Sequence, residues 1–259
     1  MSKINLRFFL TLLILFSFTS SNAAEKIKLL SPDWSFKGIT GKFDRASLQR
    51  GYQVYNEVCA SCHSMRLLSY RNLGEKGGPE FSESEVKNIA ASFEITDGPD
   101  SQGEMFMRPG RPSDRFASVY PNVEAATAAN GGAYPPDMSV LVKSRKGGSD
   151  YIYSVLMGYE DPPSGIKLDD GVYYNKYMEG KKIKMSKPLM EGIITYSDGT
   201  NATEKQMAKD VTAFLTWAAE PHLEARHKMG FKVIIFLIIL TILVYFSMKK
   251  IWSRIDTEI

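Results

Sequence analysis

Val58-Cys59-Ala60-Ser61-Cys62-His63-Ser64 is the stretch from which the rest of this 259-residue chain is read. Two cysteines two residues apart, followed at once by a histidine, form the pattern of c-type haem attachment. Each thiol can add to one haem vinyl group as a thioether, and about one helical turn sets the two sulfurs along one porphyrin edge. The histidine beside the second cysteine is then placed under the iron as the proximal ligand. A zinc site would need four ligands, yet these are the only cysteines, and the other histidines, His222 and His227, lie far down the chain. A redox CxxC would sit in a βαβ pattern, and none is visible.

Composition narrows the class. A formal net charge of +3 and the lack of a basic stripe with interleaved aromatics argue against nucleic-acid binding. Lys3 and Arg7, then the apolar run Phe8 to Phe18, then Ser21-Asn22-Ala23-Ala24, read as a secretory signal peptide over residues 1–24. Export agrees with covalent haem attachment outside the cytoplasm. Met229 to Met248 is apolar apart from Lys232, and about 20 residues match a bilayer core of roughly 30 Å. Basic residues flank it on both sides, so the positive-inside signal is weak and the leader sets the topology. The expected organisation is a leader (1–24), a periplasmic domain (25–228), a transmembrane anchor (229–248) and a cytoplasmic tail (249–259), with the chain in a bacterial inner membrane.

The expected fold is mainly α, a cytochrome c-like haem domain with long loop insertions plus one C-terminal transmembrane helix. Residues 25–42 read as an extended, turn-rich wrap. Asp44 caps a helix whose face Leu48, Tyr52, Tyr55 and Cys59 leads into the motif. Ser82 and Glu85 form a capping box ahead of Val86, Ile89, Ala90 and Phe93. Residues 96–133 show little periodicity, and so long an irregular stretch is usually functional or packed on something large. Asp137 to Lys143 and Ser149 to Gly158 read as short helices, and Tyr173 to Pro188 as a loop. Ile193 to Tyr196 reads as a strand. Thr203 with Gln206 caps a last helix, through Met207, Val211, Phe214, Leu215 and Ala218, which Pro221 closes. That helix is expected to pack across the one preceding the motif.

Function then turns on a second iron ligand, since a six-coordinate haem carries electrons and a five-coordinate one binds small molecules or reacts with peroxide. Met65 is too close to His63 to reach the opposite face, and Met207 lies on a packed helix face. Met105, Met107, Met138, Met157, Met178, Met185 and Met190 remain open on chemistry alone. A separate feature is an acidic stretch, Glu75, Glu80, Glu83, Glu85, Glu94, Asp97, Asp100 and Glu104, which is expected to steer a basic partner.

Nearly the whole mature chain resembles the cytochrome c1 family, the anchored haem subunits of ubiquinol–cytochrome c reductase (cytochrome bc1) complexes. The resemblance rests on CASCHSM at Cys59 to Met65, Tyr70-Arg71, DGP at Asp97, GEMFMRPG at Gly103 to Gly110 and YPN at Tyr120. It continues through AANGGAYPPDMS from Ala128, GGSDYIYSVLMGY from Gly147, PPSGIKLDDGVYYNKY from Pro162 and AKDVTAFLTWAAEP before the anchor. The resemblance implies one covalent haem c on Cys59 and Cys62, with His63 and Met185 as axial ligands of the iron. Met185 is implied because the family's distal methionine shortly precedes a proline, here Pro188. It also implies an electron-transfer subunit of the respiratory chain that is not an enzyme by itself. Its partners would be cytochrome b, a Rieske iron–sulfur donor, a cytochrome c acceptor and membrane lipid, in a dimeric complex. The alternatives are an anchored cytochrome feeding a terminal oxidase and, in another class, a five-coordinate haem sensor or peroxidase. Two departures stand out. Thr127 replaces an arginine that pairs a haem propionate in relatives, leaving Arg66, Arg71, Arg108, Arg111 and Arg145 as substitutes. An extra cysteine pair found in some relatives is missing.

Overall fold

A computed structural model describes residues 27–254. The leader assigned to residues 1–24 and the end of the tail, residues 255–259, lie outside the described residues. Helix α1 (Arg45–Glu57) starts where expected, because the Asp44 carboxylate accepts the free backbone N–H groups of Ala46 and Ser47. It buries Leu48, Gly51, Tyr52, Val54 and Tyr55. Helix α2 (Glu83–Ala91) carries the full Ser82–Glu85 capping box. Helix α4 (Gly148–Met157) and helix α5 (Glu204–Ala219) complete the core, with α5 packed across α1 and α4 packed on α5.

The α1–α5 crossing is close because Gly51 has no side chain. A Cβ at Gly51 would lie 2.1 Å from the Asp210 carbonyl oxygen. Asp210 itself is fully buried. Arg50 holds it through Nε at 2.8 Å and Nη2 at 3.2 Å, while Ser47 Oγ donates at 2.6 Å and Gln206 Nε2 at 2.9 Å. The capping box expected at the start of α5 is therefore half built: Thr203 Oγ1 accepts from Gln206 N, but the Gln206 amide is drawn to Asp210 instead. Around this crossing Tyr52, Tyr55, Phe116 and Phe214 meet in edge and tilted contacts, and Tyr70 stacks on Phe116 at 4.7 Å.

The long irregular stretch holds more order than expected. Strands β1 (Glu94–Asp97) and β2 (Phe106–Pro109) form an antiparallel hairpin, and helix α3 (Val123–Ala129) starts at Asn122, whose side chain accepts from Ala125 N. The hairpin lies on the surface, where no alternation of apolar and polar residues is needed, so periodicity does not report it. A second, two-residue ladder joins β3 (Tyr173–Tyr174) to β4 (Lys182–Ile183), inside the stretch read as loop. Two short elements are absent. Residues 137–143 form consecutive turns, because Met138 N is given to Ser64 O across the fold rather than to a helix of its own. Residues 193–196 carry no strand and end in a turn in which Gly199 N bonds Tyr196 O.

The N-terminal segment wraps the surface as expected. Leu30 N donates to Ser154 Oγ at 2.8 Å and Trp34 Nε1 to Asp150 at 2.6 Å. After Pro221 the chain turns into α6 (Leu223–Trp252), 30 residues long and apolar enough to cross a membrane, with the side chains of its span exposed. Its first turn lies against the domain, where Glu224 is buried. Arg45 grips Glu224 with both terminal nitrogens, at 2.7 and 3.0 Å, and Phe43 N adds a bond at 3.0 Å.

Removing one partner of a buried ion pair costs about 3–5 kcal/mol, whereas an exposed pair contributes about 1 kcal/mol or less. Asp210→Ala is therefore expected to lower the unfolding free energy by about 3–5 kcal/mol. Asp198→Ala, on the exposed side of the same Arg50, is expected to change it by less than about 1 kcal/mol. Denaturant unfolding of the two variants checks the contrast.

Candidate functional site

Helix α1 stops at Glu57, and Cys59–Ser61 tightens into one 3-10 turn. Backbone N–H groups of Cys62 and His63 both bond Cys59 O, at 3.1 and 2.9 Å, so the two cysteines and the histidine are fixed as one compact turn. Both thiols are free and half-buried. Desolvation, reinforced by Cys62, pushes the Cys59 thiol up to about 12, so it is protonated at neutral pH.

His63 is 9% exposed, and its environment determines its tautomer. Nδ1 lies 2.9 Å from Pro136 O, which can only accept, so Nδ1 carries the proton. Nε2 has no hydrogen-bond partner among the described residues and presents a bare lone pair. Burial lowers the ring's pKa, only partly offset by the Pro136 bond, so the imidazole is neutral at pH 7. A neutral ring, oriented by a backbone carbonyl and offering one nitrogen, is the form that ligates a metal. Tyr55 donates its hydroxyl to His63 O at 3.2 Å and ties the site back to α1.

The segment facing this turn runs from Gly131 to Ser139. Pro136 O receives His63, Asp137 accepts from Arg66 N at 2.9 Å, and Ser139 Oγ accepts from Leu67 N at 3.0 Å. At its other end Gly131 O accepts from Lys184 Nζ at 2.7 Å. Met185 is half-buried just after β4, and its carbonyl accepts from Tyr159 OH at 3.0 Å. One segment thus touches both the histidine turn and the methionine loop. Sequence reasoning missed Pro136, Gly131 and Tyr159, because a backbone acceptor leaves no residue-type signal.

A cleft of about 690 Å³ opens beside Met178–Lys182, lined also by Tyr151, Tyr177, Ile166 and Arg145. A smaller one of about 60 Å³ opens next to Cys62, between Tyr120, Val123 and Tyr134. Of the arginines offered as replacements at Thr127, Arg66 is paired with Asp137 and Arg108 lies between Asp97 and Asp114. Arg145 lines the larger cleft and makes no ion pair among the described residues; Nη1 reaches only Ser144. Thr127 turns its hydroxyl to Val123 O at 2.7 Å. The other methionines scatter: Met138 and Met207 are buried in the core, Met105, Met107 and Met190 are exposed.

The acidic stretch is more committed than its residue count implies. Glu80 pairs with Arg45, Glu83 with Lys87 and Asp97 with Arg108, while Glu85 caps α2. Asp100 closes its own turn and Glu75 accepts from Asn72. Three of the eight, Glu80, Glu83 and Asp97, are offset by a paired cation, so the steering field is smaller than eight carboxylates suggest.

Comparison with known proteins gives a consistent result. The profile described as "Cytochrome C1 family" matches residues 34–255. "Cytochrome b/c1" of Bradyrhizobium diazoefficiens is 50% identical over 239 residues, covering 85% of this chain and 35% of that protein. "Cytochrome c1-2, heme protein, mitochondrial" of Solanum tuberosum is 48% identical over 93% of this chain and 91% of its own length. "Cytochrome c1" of Rhodospirillum rubrum is 46% identical, covering 88% and 89%. The chain spans about a third of the Bradyrhizobium protein and about nine tenths of the other two.

The Arg108 knot has a measurable pH signature. Hydrogen bonds from Arg108 hold the Asp114 carboxyl down at about 2, against an ordinary 3.8. A depressed folded-state value stabilises the fold above the ordinary value, and the contribution is lost as pH falls toward 2. Asp114→Asn is expected to lower stability at neutral pH and to flatten the acid limb of the stability profile over that window, read by denaturant titration at successive pH values.

Proposed function

Because the chain belongs to the cytochrome c1 family, we propose that it is a single-haem c-type cytochrome anchored by α6. It takes one electron from a Rieske iron–sulfur protein and passes it to a cytochrome c, as a subunit of ubiquinol–cytochrome c reductase. It is not an enzyme by itself. Its neighbours in this reading are cytochrome b, the Rieske subunit and membrane lipid, in a dimeric complex.

The observation that carries this reading is the histidine turn: two free thiols one turn apart, beside a neutral imidazole whose Nδ1 is tied to Pro136 O and whose Nε2 is unpartnered among the described residues. That donor set fits haem c. Cys59 and Cys62 would hold it through thioethers: each S–H adds across a vinyl C=C, sulfur to one carbon and hydrogen to the other. His63 Nε2 would be the proximal donor. Met185, on a loop whose neighbours hold it by its carbonyl, would be the distal one. Haem, when bound, supplies one-electron chemistry, and thioether ligation raises its potential. Of the arginines considered in place of Thr127, Arg145 makes no ion pair among the described residues, but its cleft is lined by none of Cys59, Cys62, His63 and Met185, so no arginine is assigned to a haem propionate.

The topology follows from the leader and α6. Residues 1–24 would be removed, residues 25–228 would face the periplasm, residues 229–248 would cross the inner membrane, and residues 249–259 would remain in the cytoplasm. Arg226, His227 and Lys228 on one side, and Lys249, Lys250 and Arg254 on the other, sit at interfacial depth.

Three measurements test this. Haem staining after denaturing electrophoresis is expected in the native chain and lost in the Cys59→Ser/Cys62→Ser variant; haem extractable by acid acetone would contradict covalent attachment. Met185→Leu is expected to keep the stain, lose the far-red methionine-to-iron band of the oxidised protein, lower the potential and let the reduced protein bind carbon monoxide. Protease added to spheroplasts is expected to remove the haem domain and leave a membrane-bound stub; a protected domain would invert the topology.

A further inference from the structure

A methionine ligand carried on a loop has to be held there. The loop around Met185 contains only a two-residue ladder, β4, and Met185 itself is half-buried. Two side-chain donors nevertheless fix its backbone neighbourhood from opposite partners. Tyr159, just past the end of α4, donates to Met185 O at 3.0 Å. Lys184, the residue before Met185, reaches across to Gly131 O at 2.7 Å. Gly131 and Gly132 both take positive φ, +59° and +82°, which turns the chain so that the Gly131 carbonyl meets the lysine. Five residues on, Pro136 O orients His63.

We propose that Lys184 and Tyr159 are positioning residues for the distal ligand: Lys184 clamps the Met185 loop to the Gly131–Pro136 segment that also orients His63, and Tyr159 clamps it to the end of α4. The inference rests on Met185 being that ligand. The two axial segments then share one scaffold, and their separation is set by the six residues 131–136 rather than by the iron alone. Other side chains near the loop act differently. Lys182 is exposed with no side-chain bond among the described residues, and Lys187 is paired with Glu204 at 2.8 Å, which ties the loop to the start of α5.

The consequence is a population. With haem bound, the Met185 thioether would be either on the iron or released, and each clamp bond would favour the position on the iron. Losing one hydrogen bond of ordinary net worth changes such an equilibrium about fivefold. Carbon monoxide enters only when the methionine has left, so its apparent affinity for the reduced protein scales with the released fraction.

The test uses the haem-loaded full chain in detergent at neutral pH, with carbon monoxide as the probe. Lys184→Gln and Tyr159→Phe are each expected to keep the haem stain, weaken the far-red methionine band and tighten apparent carbon monoxide binding about fivefold. Lys182→Gln removes the same charge without touching the clamp and is expected to leave band and binding unchanged. Native band and binding in both clamp variants would overturn the proposal, and so would an equal effect from Lys182→Gln, which would assign the change to charge. The Met185→Leu variant separates this from the ligand assignment. If it loses the band while both clamp variants keep it, the ligand stands and the clamp falls. If it keeps the band, both fall.

Discussion

The structure depends on a crossing that only glycine permits. At Gly51 the backbone of α1 comes against the backbone of α5, and the buried carboxylate of Asp210 sits at the contact. A carboxylate taken out of water needs full compensation, and Arg50, Ser47 and Gln206 provide it from both helices. The bonds have direction, so they fix rotation and register where apolar packing alone would tolerate sliding. Both functional ends of the chain hang from this point. Helix α1 runs directly into the Cys59–His63 turn, and α5 runs into the base of α6.

Away from the crossing the domain is largely loop, and the site is built there. Its rigidity comes from side chains bonding to backbone carbonyls: His63 to Pro136, Lys184 to Gly131, Tyr159 to Met185, Tyr55 to His63. Carbonyls are placed by the chain path, not by residue type, so each contact fixes a loop against another loop or, through Tyr55, against α1. Helices set where the site is, and cross-loop bonds set its shape.

That division explains what could be read in advance. The helices announced themselves through apolar spacing and caps: Asp44 before α1, Ser82 and Glu85 at α2, Thr203 at α5. The CxxCH turn announced itself through residue types that chemistry constrains tightly. The β1–β2 hairpin did not, because it lies on the surface and carries no period. Asp137 to Lys143 looked helical by composition, yet Met138 N is spent on Ser64 O, a partner 74 residues earlier that no local window contains. Gln206 was read as half of a cap, and a buried charge one turn away claimed it. Of the candidate site, the two thiols and His63 could be read from spacing; Met185 is proposed on family resemblance; the carbonyl scaffold could not be read at all.

The Arg45–Glu224 grip gives α6 a mechanical meaning. In the anchored reading residues 229–248 span roughly 30 Å at about 1.5 Å per residue, about the thickness of a bilayer's hydrocarbon core, and the other turns of the 30-residue helix lie outside it. A rod whose apolar length exceeds its slab leans, so a bilayer thinner than that match would tilt it. A flexible linker would let the domain stay upright while the rod tilted. Here Glu224 is welded to the head of the domain by a forked ion pair and the Phe43 amide, and His227 is in contact with Gly41 O at 3.3 Å. The head would therefore turn with the rod, and in a membrane-anchored chain bilayer thickness would become a gear that sets the angle at which the domain meets whatever approaches it.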